Sequence, residues 1–306
     1  MGAVNMRFGF AVPNRWGIED VGALFDLGQQ AEGLGFDSLW ASEHQFHAGA
    51  LPETTGNGPI YEPLTMLAYL AAVTKSVRLG PSVMILPFHH PVILAKSIAT
   101  LDIISGGRLN LGIGVGGVPE EFAGLGVKLT ERGAMADEVI DAMKILWSEE
   151  SPSFEGRYYR FSGLGFSPKP IQKPHPPIFV GGHSKAAIRR AARVGAWWHP
   201  GPIQPDLVRW GVNYLADQAR VFGRDPSEIG VSLKLYLDIP SISGVPRSLS
   251  HTGGFIGTPQ ELLQRLWDYQ DAGVHHILVA TMSRDVEVIK KTMEFIASDI
   301  MPEFNR

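Results

Sequence analysis

The chain has 306 residues, 44% of them hydrophobic and 19% charged, a balance that excludes both a disordered chain and a highly charged coiled coil. It contains no Cys, which removes disulfides, thiolate metal sites and cysteine nucleophiles together, and its net charge of −4 weighs against a nucleic-acid partner. No window approaches the roughly 18 uninterrupted apolar residues of a membrane span. The start lacks a secretion pattern, and Met6 stands where myristoylation needs Ser or Thr, so a cytoplasmic protein with no membrane partner is expected.

The 35 Gly and 22 Pro punctuate an alternation of strands and helices. Arg7 to Val12 reads as a strand and Glu19 to Leu34 as a helix stopped by Gly33 and Gly35. Ser38 to Ala41 is a short strand, followed by an aperiodic loop from Ser42 to Tyr61 and a helix from Glu62 to Thr74. Val77 to Leu86 is β-rich, and Pro91 starts a helix that runs to Ile104. A strand from Arg108 to Ile113 precedes a periodic helix from Glu131 to Trp147. After an irregular stretch, Ser148 to Pro177, come strand Ile178 to Val180, helix Ser184 to Val194, strand Ala196 to Trp198 and helix Pro205 to Phe222. Gly230 to Asp238 alternates in polarity as a strand does, and a second loop runs to Gly257. Thr258-Pro259-Gln260-Glu261 combines a capping box with a first-turn proline. That helix ends at Gly273; strand His275 to Ala280 and helix Val286 to Ile300 complete the series. Eight strands alternating with eight helices predict one (β/α)8 barrel domain over residues 1–306, with an open doubly wound sheet as the alternative.

In such a barrel chemistry sits on the loops after the strands. Glu43 and His44 follow the second strand, where a carboxylate and an imidazole can orient a ligand and move a proton near neutral pH. Pro81-Ser82-Val83 is a wall against which an aromatic ring could lie, or an ordinary strand end. Gly112-Ile113-Gly114-Val115-Gly116-Gly117 formally matches GxGxxG, yet it lies mid-chain and reads better as a place of close backbone approach. Gly181-Gly182-His183-Ser184 joins a strand to a helix start and is a ready phosphate site. That loop lies in residues 151–200, where eight Lys or Arg stand against one acid, Glu155. The segment carries +7 and leaves −11 on the remainder, although Arg189, Arg190 and Arg193 also read as a solvated helix face. A metal-dependent hydrolase built on His44, His47, His89-His90 and His275-His276 is disfavoured. The first strand has no His-x-His, and neighbouring histidines on a strand point to opposite faces.

Taken in order, several motifs resemble those of the bacterial luciferase-like flavin and deazaflavin oxidoreductases over nearly the whole chain. They are Phe36-Asp37-Ser38-Leu39-Trp40 with Glu43-His44, Val77-Arg78-Leu79-Gly80 with Ser82-Val83, and Leu101-Asp102 with Ser105-Gly106-Gly107-Arg108. Gly112-Ile113-Gly114 with Glu121-Phe122, Pro174-His175-Pro176-Pro177-Ile178, Gly181-Gly182 and Trp198-His199-Pro200 follow. The resemblance implies a barrel with loop insertions at its C-terminal mouth, holding a flavin or deazaflavin ring. It implies a cis peptide at Ser82-Val83 under the ring, Gly114, Gly116 and Gly117 along it, a phosphate on Gly181 to Ser184, and His44 with Glu43 beside the reactive centre. The stretch from Leu101 to Trp147 resembles enzymes using coenzyme F420, whose oligoglutamate tail the +7 segment suits, whereas Glu43-His44-Gln45-Phe46 resembles FMN users. Val115 and Gly117 stand where bioluminescent relatives and F420-dependent sugar-phosphate dehydrogenases carry a cation and a Glu, so neither of those reactions is expected. The expectation is therefore hydride transfer between F420 and a small organic substrate, with an FMNH2- and O2-dependent monooxygenase as alternative and a non-catalytic flavin-binding protein third. The loops Ser42 to Tyr61 and Asp238 to Gly257 read as substrate lids, and a homodimer is possible by analogy with relatives.

Overall fold

The computed structural model describes residues 5–47, 58–244, 254–281 and 283–304. Its strands in chain order are β1 (Arg7–Ala11), β2 (Ser38–Ala41), β3 (Arg78–Pro81), β4 (Met84–Ile85), β5 (Leu111–Gly114), β6 (Phe154–Glu155), β7 (Arg160–Phe161), β8 (Ile178–Gly181), β9 (Trp197–His199), β10 (Gly230–Asp238), β11 (Phe255–Ile256) and β12 (His276–Thr281). Nine of them lie edge to edge in the order β3-β2-β1-β12-β10-β9-β8-β5-β4, and every pairing along that path is parallel. β3 and β4 are the two halves of the β-rich run from Val77 to Leu86, and a parallel Leu79–Leu109 bridge joins β3 to the segment that leads into β5. The sheet thus closes on itself as a barrel of eight staves, as the alternation predicts.

Helices cover the outside. Asp20 caps Val21–Gly33, Glu62 caps Pro63–Val73, and the expected capping box of Thr258 and Glu261 starts Pro259–Asp271. Their inner faces pack on the sheet in one large apolar layer containing Leu24, Leu67, Ile98, Ile140, Ile188 and Ile289. Inside the barrel sits a second, smaller cluster of Ala11, Trp40, Phe179, Leu278 and Ala280, with Trp197 and Tyr236 against it. Trp40 meets Phe179 edge-on at 5.0 Å and stacks on His199 at 5.2 Å, so aromatic rings fill the lumen.

The structure departs from the sequence reading in a few places. The stretch from Ser148 to Pro177 contains the antiparallel hairpin β6–β7, where Phe154 stacks on Phe161. Two helices, Pro119–Gly124 and Arg132–Ser148, follow β5 where one was expected. β5 begins at Leu111 rather than Arg108, whose guanidinium donates to the carbonyls of Ser105, Val77 and Ala71 and to the Thr74 hydroxyl. A short strand, β11, continues the β10 edge within the expected second lid. Residues 48–57 and 245–253, nearly half of the two expected lids, lie outside the described residues. Among the described residues no helix is long and apolar enough to cross a membrane.

Candidate active site

All barrel strands run the same way, so their C-terminal ends gather at one mouth. A cavity of about 190 Å3 opens there, lined by Arg15, Ser42, Glu43, His44, Ser82, Val83, Ile85, Glu121, Lys234, Tyr236 and Gly116 to Val118. A second, of about 180 Å3, adjoins it through Ser82, Val83, Lys234 and Tyr236 and reaches Gly181, Gly182 and His199. The structure therefore brings His44, Glu43, Ser82, Val83, Gly116, Gly117, Gly181 and Gly182 to one mouth.

The Ser82–Val83 peptide is cis. The Val83 side chain rises between two strand-end glycines. A Cβ on Gly114 would lie 2.5 Å from Val83 Cγ2, and one on Gly181 would lie 3.0 Å from Val83 Cγ1. Both distances are below ordinary carbon–carbon contact, so the side chain-free backbone at these two positions is what lets Val83 stand there. Gly114 thus supports the wall from behind.

His44 is one-fifth exposed, and its Nδ1 lies 3.2 Å from Oε2 of Glu121, whose side chain is buried. The other Glu121 oxygen accepts the backbone N–H of Gln45 at 2.7 Å and that of Phe46 at 3.4 Å. Burial pushes the Glu121 carboxyl up, but the hydrogen bond from His44, the Gln45 N–H, the His44 charge and the Phe46 N–H outweigh it and hold the group below its usual range. An ionised carboxylate behind Nδ1 fixes the ring and leaves Nε2 as the nitrogen available to the cavity.

Glu43 is also buried, but it is tied to the wall. Its Oε2 accepts the Ile85 N–H, and its Oε1 accepts from Gln45 Nε2 at 2.9 Å and lies 2.7 Å from His89 Nε2. These bonds clamp the loop after β2 to β4. Asn14 clamps the same loop from the other side, through Ser42 O, Ser42 N–H and Tyr61 O.

Two cations line the same cavity as His44. Lys234 Nζ donates to Ser42 Oγ at 2.9 Å and approaches Ser82 O at 3.4 Å, and Arg15 Nη2 donates to the Tyr236 hydroxyl at 2.9 Å. Burial raises the Tyr236 phenol, but the charges of Arg15 and Lys234 and their hydrogen bonds outweigh it and bring it down to about 8. Burial pushes the Lys234 ammonium down, as does the Arg15 charge, against the opposing influence of Tyr236.

Gly182 has φ +98°, and its carbonyl accepts the Trp198 indole N–H at 2.8 Å. Ser184 caps helix Lys185–Val194 through the Ala187 N–H at 3.2 Å, and Gly182, His183 and Ser184 are exposed. The helix N-terminus is thus presented to solvent at the mouth. Part of the excess charge of residues 151–200 is paired elsewhere, although Lys185 opens this helix. Arg190, only 9% exposed rather than solvated, forks onto Asp137; Arg193 pairs with Asp141, and Arg157 pairs with Glu131. Acids from outside the segment neutralise these three.

Sequence reading missed Glu121, Arg15, Lys234 and Tyr236 as site residues. Ser232, Lys234, Tyr236 and Asp238 fall on alternate positions of β10, between Val231, Leu233, Leu235 and Leu237. In a strand buried on both faces, a polar residue at every second position points inward; that signal was available.

The family model for luciferase-like monooxygenases matches residues 6–239. The FMNH2-dependent dimethylsulfone monooxygenase of Pseudomonas putida is 33% identical over 209 residues, 67% of this chain and 55% of that protein. The monooxygenase RslO1 of Streptomyces bottropensis superposes with TM-score 0.81 at 27% identity, covering 98% of this chain and 100% of that one. An F420-dependent secondary alcohol dehydrogenase, solved with an F420–acetone adduct, gives TM-score 0.84 at 17% identity over 99% of this chain and 100% of that one, a likeness of fold. The family-model match, on a chain that folds as a closed parallel barrel, identifies it as a member of the luciferase-like monooxygenase family.

Proposed function

We propose that the mouth binds a flavin-type ring against Ser82 and Val83, and that His44 moves the proton that accompanies hydride transfer to or from a small organic substrate. The observation that carries this reading is the His44–Glu121 pair on the cavity wall. Two features suit the ring: the Val83 wall, given room by Gly114 and Gly181, and an exposed helix N-terminus at Gly182 to Ser184 for a phosphate. When bound, such a ring supplies or takes the hydride. The chain's own residues do the rest. For a substrate carrying CH–OH, the C–H pair leaves as hydride, the hydroxyl proton passes to His44 Nε2, and a carbonyl forms. A positioned base such as His44 contributes about 10²–10⁴ in rate, and Glu121 stabilises the resulting imidazolium. Glu43 is a positioning residue, holding the His44 loop onto β4.

A carboxylate-backed imidazole is a base, which favours hydride transfer with F420. The tail-attracting role expected of residues 151–200 rests on fewer free charges than the sequence count, because Arg157, Arg190 and Arg193 are paired elsewhere. The similarity to an FMNH2-dependent monooxygenase and the cavity cations Arg15 and Lys234, which could steady a developing oxyanion, favour FMNH2 and O2 as a second reading. Oxygen uptake separates the two. Hydride transfer with F420 predicts no uptake above the free-cofactor rate when protein and substrate are mixed with reduced FMN. Stoichiometric uptake with reduced FMN overturns it in favour of the monooxygenase. In either case turnover of His44→Ala that equals wild type removes the proton role.

A further inference from the structure

Two buried histidines take no part in the cavity chemistry above, and both belong to one hydrogen-bonded chain. Ser82 Oγ, on the cavity wall, lies 3.0 Å from His199 Nε2. His199 Nδ1 lies 2.9 Å from Ser232 Oγ, and Ser232 Oγ lies 2.7 Å from His276 Nδ1. His276 Nε2 lies 3.1 Å from Asp37 Oδ1. Ser232 is fully buried, and His199 and His276 are each 3% exposed. Asp37 lines a separate cavity of about 290 Å3 at the opposite end of the barrel, with Arg7, Arg78 and Gln172. In the β2–β3 register Ser38 faces Arg78 and Ala41 faces Pro81, so Asp37 and Ser82 stand five residues apart along the barrel axis, about 16 Å.

We infer that Ser82, His199, Ser232, His276 and Asp37 form a proton relay through the barrel lumen, connecting the cavity at the mouth with water at the far end. Donor accounting supports it. With both imidazoles neutral and Asp37 ionised, one placement satisfies all four links: Ser82 O–H to His199, His199 Nδ1–H to Ser232, Ser232 O–H to His276, and His276 Nε2–H to Asp37. Every donor then points the same way. A proton arriving on Ser82 Oγ breaks one O–H or N–H bond and makes one at each link, and a proton appears on Asp37; no charge is left inside. Release to water and the return of the links reset the chain.

The surroundings are shaped for it. A Cβ on Gly9 would lie 2.5 Å from Ser38 Oγ and 2.8 Å from His276 Nε2, so β1 gives up a side chain where His276 sits. Burial, the largest influence, pushes the His199 imidazole down against its hydrogen bond to Ser232 O, and so keeps it neutral. Apolar side chains would fill the lumen without any such penalty. The relay complements the proposed proton role of His44, since a proton put into the cavity must leave it, but its test needs neither cofactor nor substrate.

The test is exchange of the His199 ring N–H with solvent, followed by NMR on the 15N-histidine-labelled protein. For the Nδ1 proton to leave, Ser232 must take it and pass its own to His276. Ser232→Ala therefore slows this exchange by roughly tenfold or more, while backbone amide exchange in β10 and β12 stays as in wild type. Ser232→Thr, which keeps the hydroxyl, restores it. A purely structural hydrogen bond predicts the opposite sign, because removing it eases local opening and speeds exchange. Should Ser232→Ala fail to fold, His276→Phe cuts the same path one link further out and slows exchange likewise. Exchange as fast as wild type, or faster, in a folded variant overturns the relay. That outcome leaves cofactor binding untouched, so it is distinguishable from failure of the proposed function.

Discussion

Glu121 Oε2 stands 3.2 Å from His44 Nδ1 although 77 residues separate the two, and the contact is made by a buried carboxylate at the start of the short helix after β5. It ties the proton group of one barrel loop to the wall supplied by another.

The same carboxylate contributes to acid stability. Its folded pKa lies below the unfolded value, so it stabilises the fold above the ordinary carboxylate range, and that contribution is lost as pH falls through the folded pKa. Glu121→Gln removes this dependence, so urea midpoints of the variant fall less steeply than those of wild type between about pH 6 and pH 3. Equal slopes would show that Glu121 carries no such linkage.

Tyr236 ionises early. Its phenol is brought to about 8, whereas an ordinary tyrosine ionises near 10. An absorbance titration resolves one phenolate ahead of the others. Tyr236→Phe abolishes that step, and Lys234→Met moves it to higher pH by removing a nearby cation. A single transition near 10 in wild type contradicts the arrangement.

The glycines of the mouth are not interchangeable. Gly114→Ala drives a methyl into Val83 and weakens ring binding at least tenfold, with a stability loss of about 1–3 kcal/mol for overpacking. At Gly117 an added methyl would meet no heavy atom of the chain within 4 Å, and the backbone there is not left-handed, so Gly117→Ala leaves stability unchanged. Parallel titrations and urea melts of the two variants check this contrast. Equal effects would remove Val83 as the critical wall.

Arg190 serves the fold. Arg190→Met breaks its fork onto the partly exposed Asp137 and lowers stability by about 1–2 kcal/mol, while ring affinity stays within about twofold. A large loss of affinity with unchanged stability would return the arginine to the anion site.

The architecture was legible because the strand–helix alternation and the punctuation by Pro91, Pro259, Gly33 and Gly273 are local signals. The mouth loops were legible as places, since topology puts every loop after a strand at one end. Partnerships were not. Glu43 and Glu121 look equivalent in sequence, yet Ile85, Gln45 and His89 occupy Glu43, while Glu121 alone backs His44. The +7 count overstates the free charge for the same reason: Asp137 and Asp141, which neutralise Arg190 and Arg193, lie outside the segment in sequence and beside it in space. The His275-His276 pair was read as pointing to opposite faces. His276 does point into the lumen, where it meets Ser232 and Asp37, two residues that only the register of β10, β12 and β2 brings together.

The most direct test of the central claim is an equilibrium titration of the purified apoprotein with F420 and, separately, with FMN, following ring absorbance and fluorescence. Saturable micromolar binding of F420, weakened in Gly114→Ala and absent for FMN, is the predicted result. Binding of FMN alone would contradict the choice of cofactor, and no binding of either ring would contradict the site.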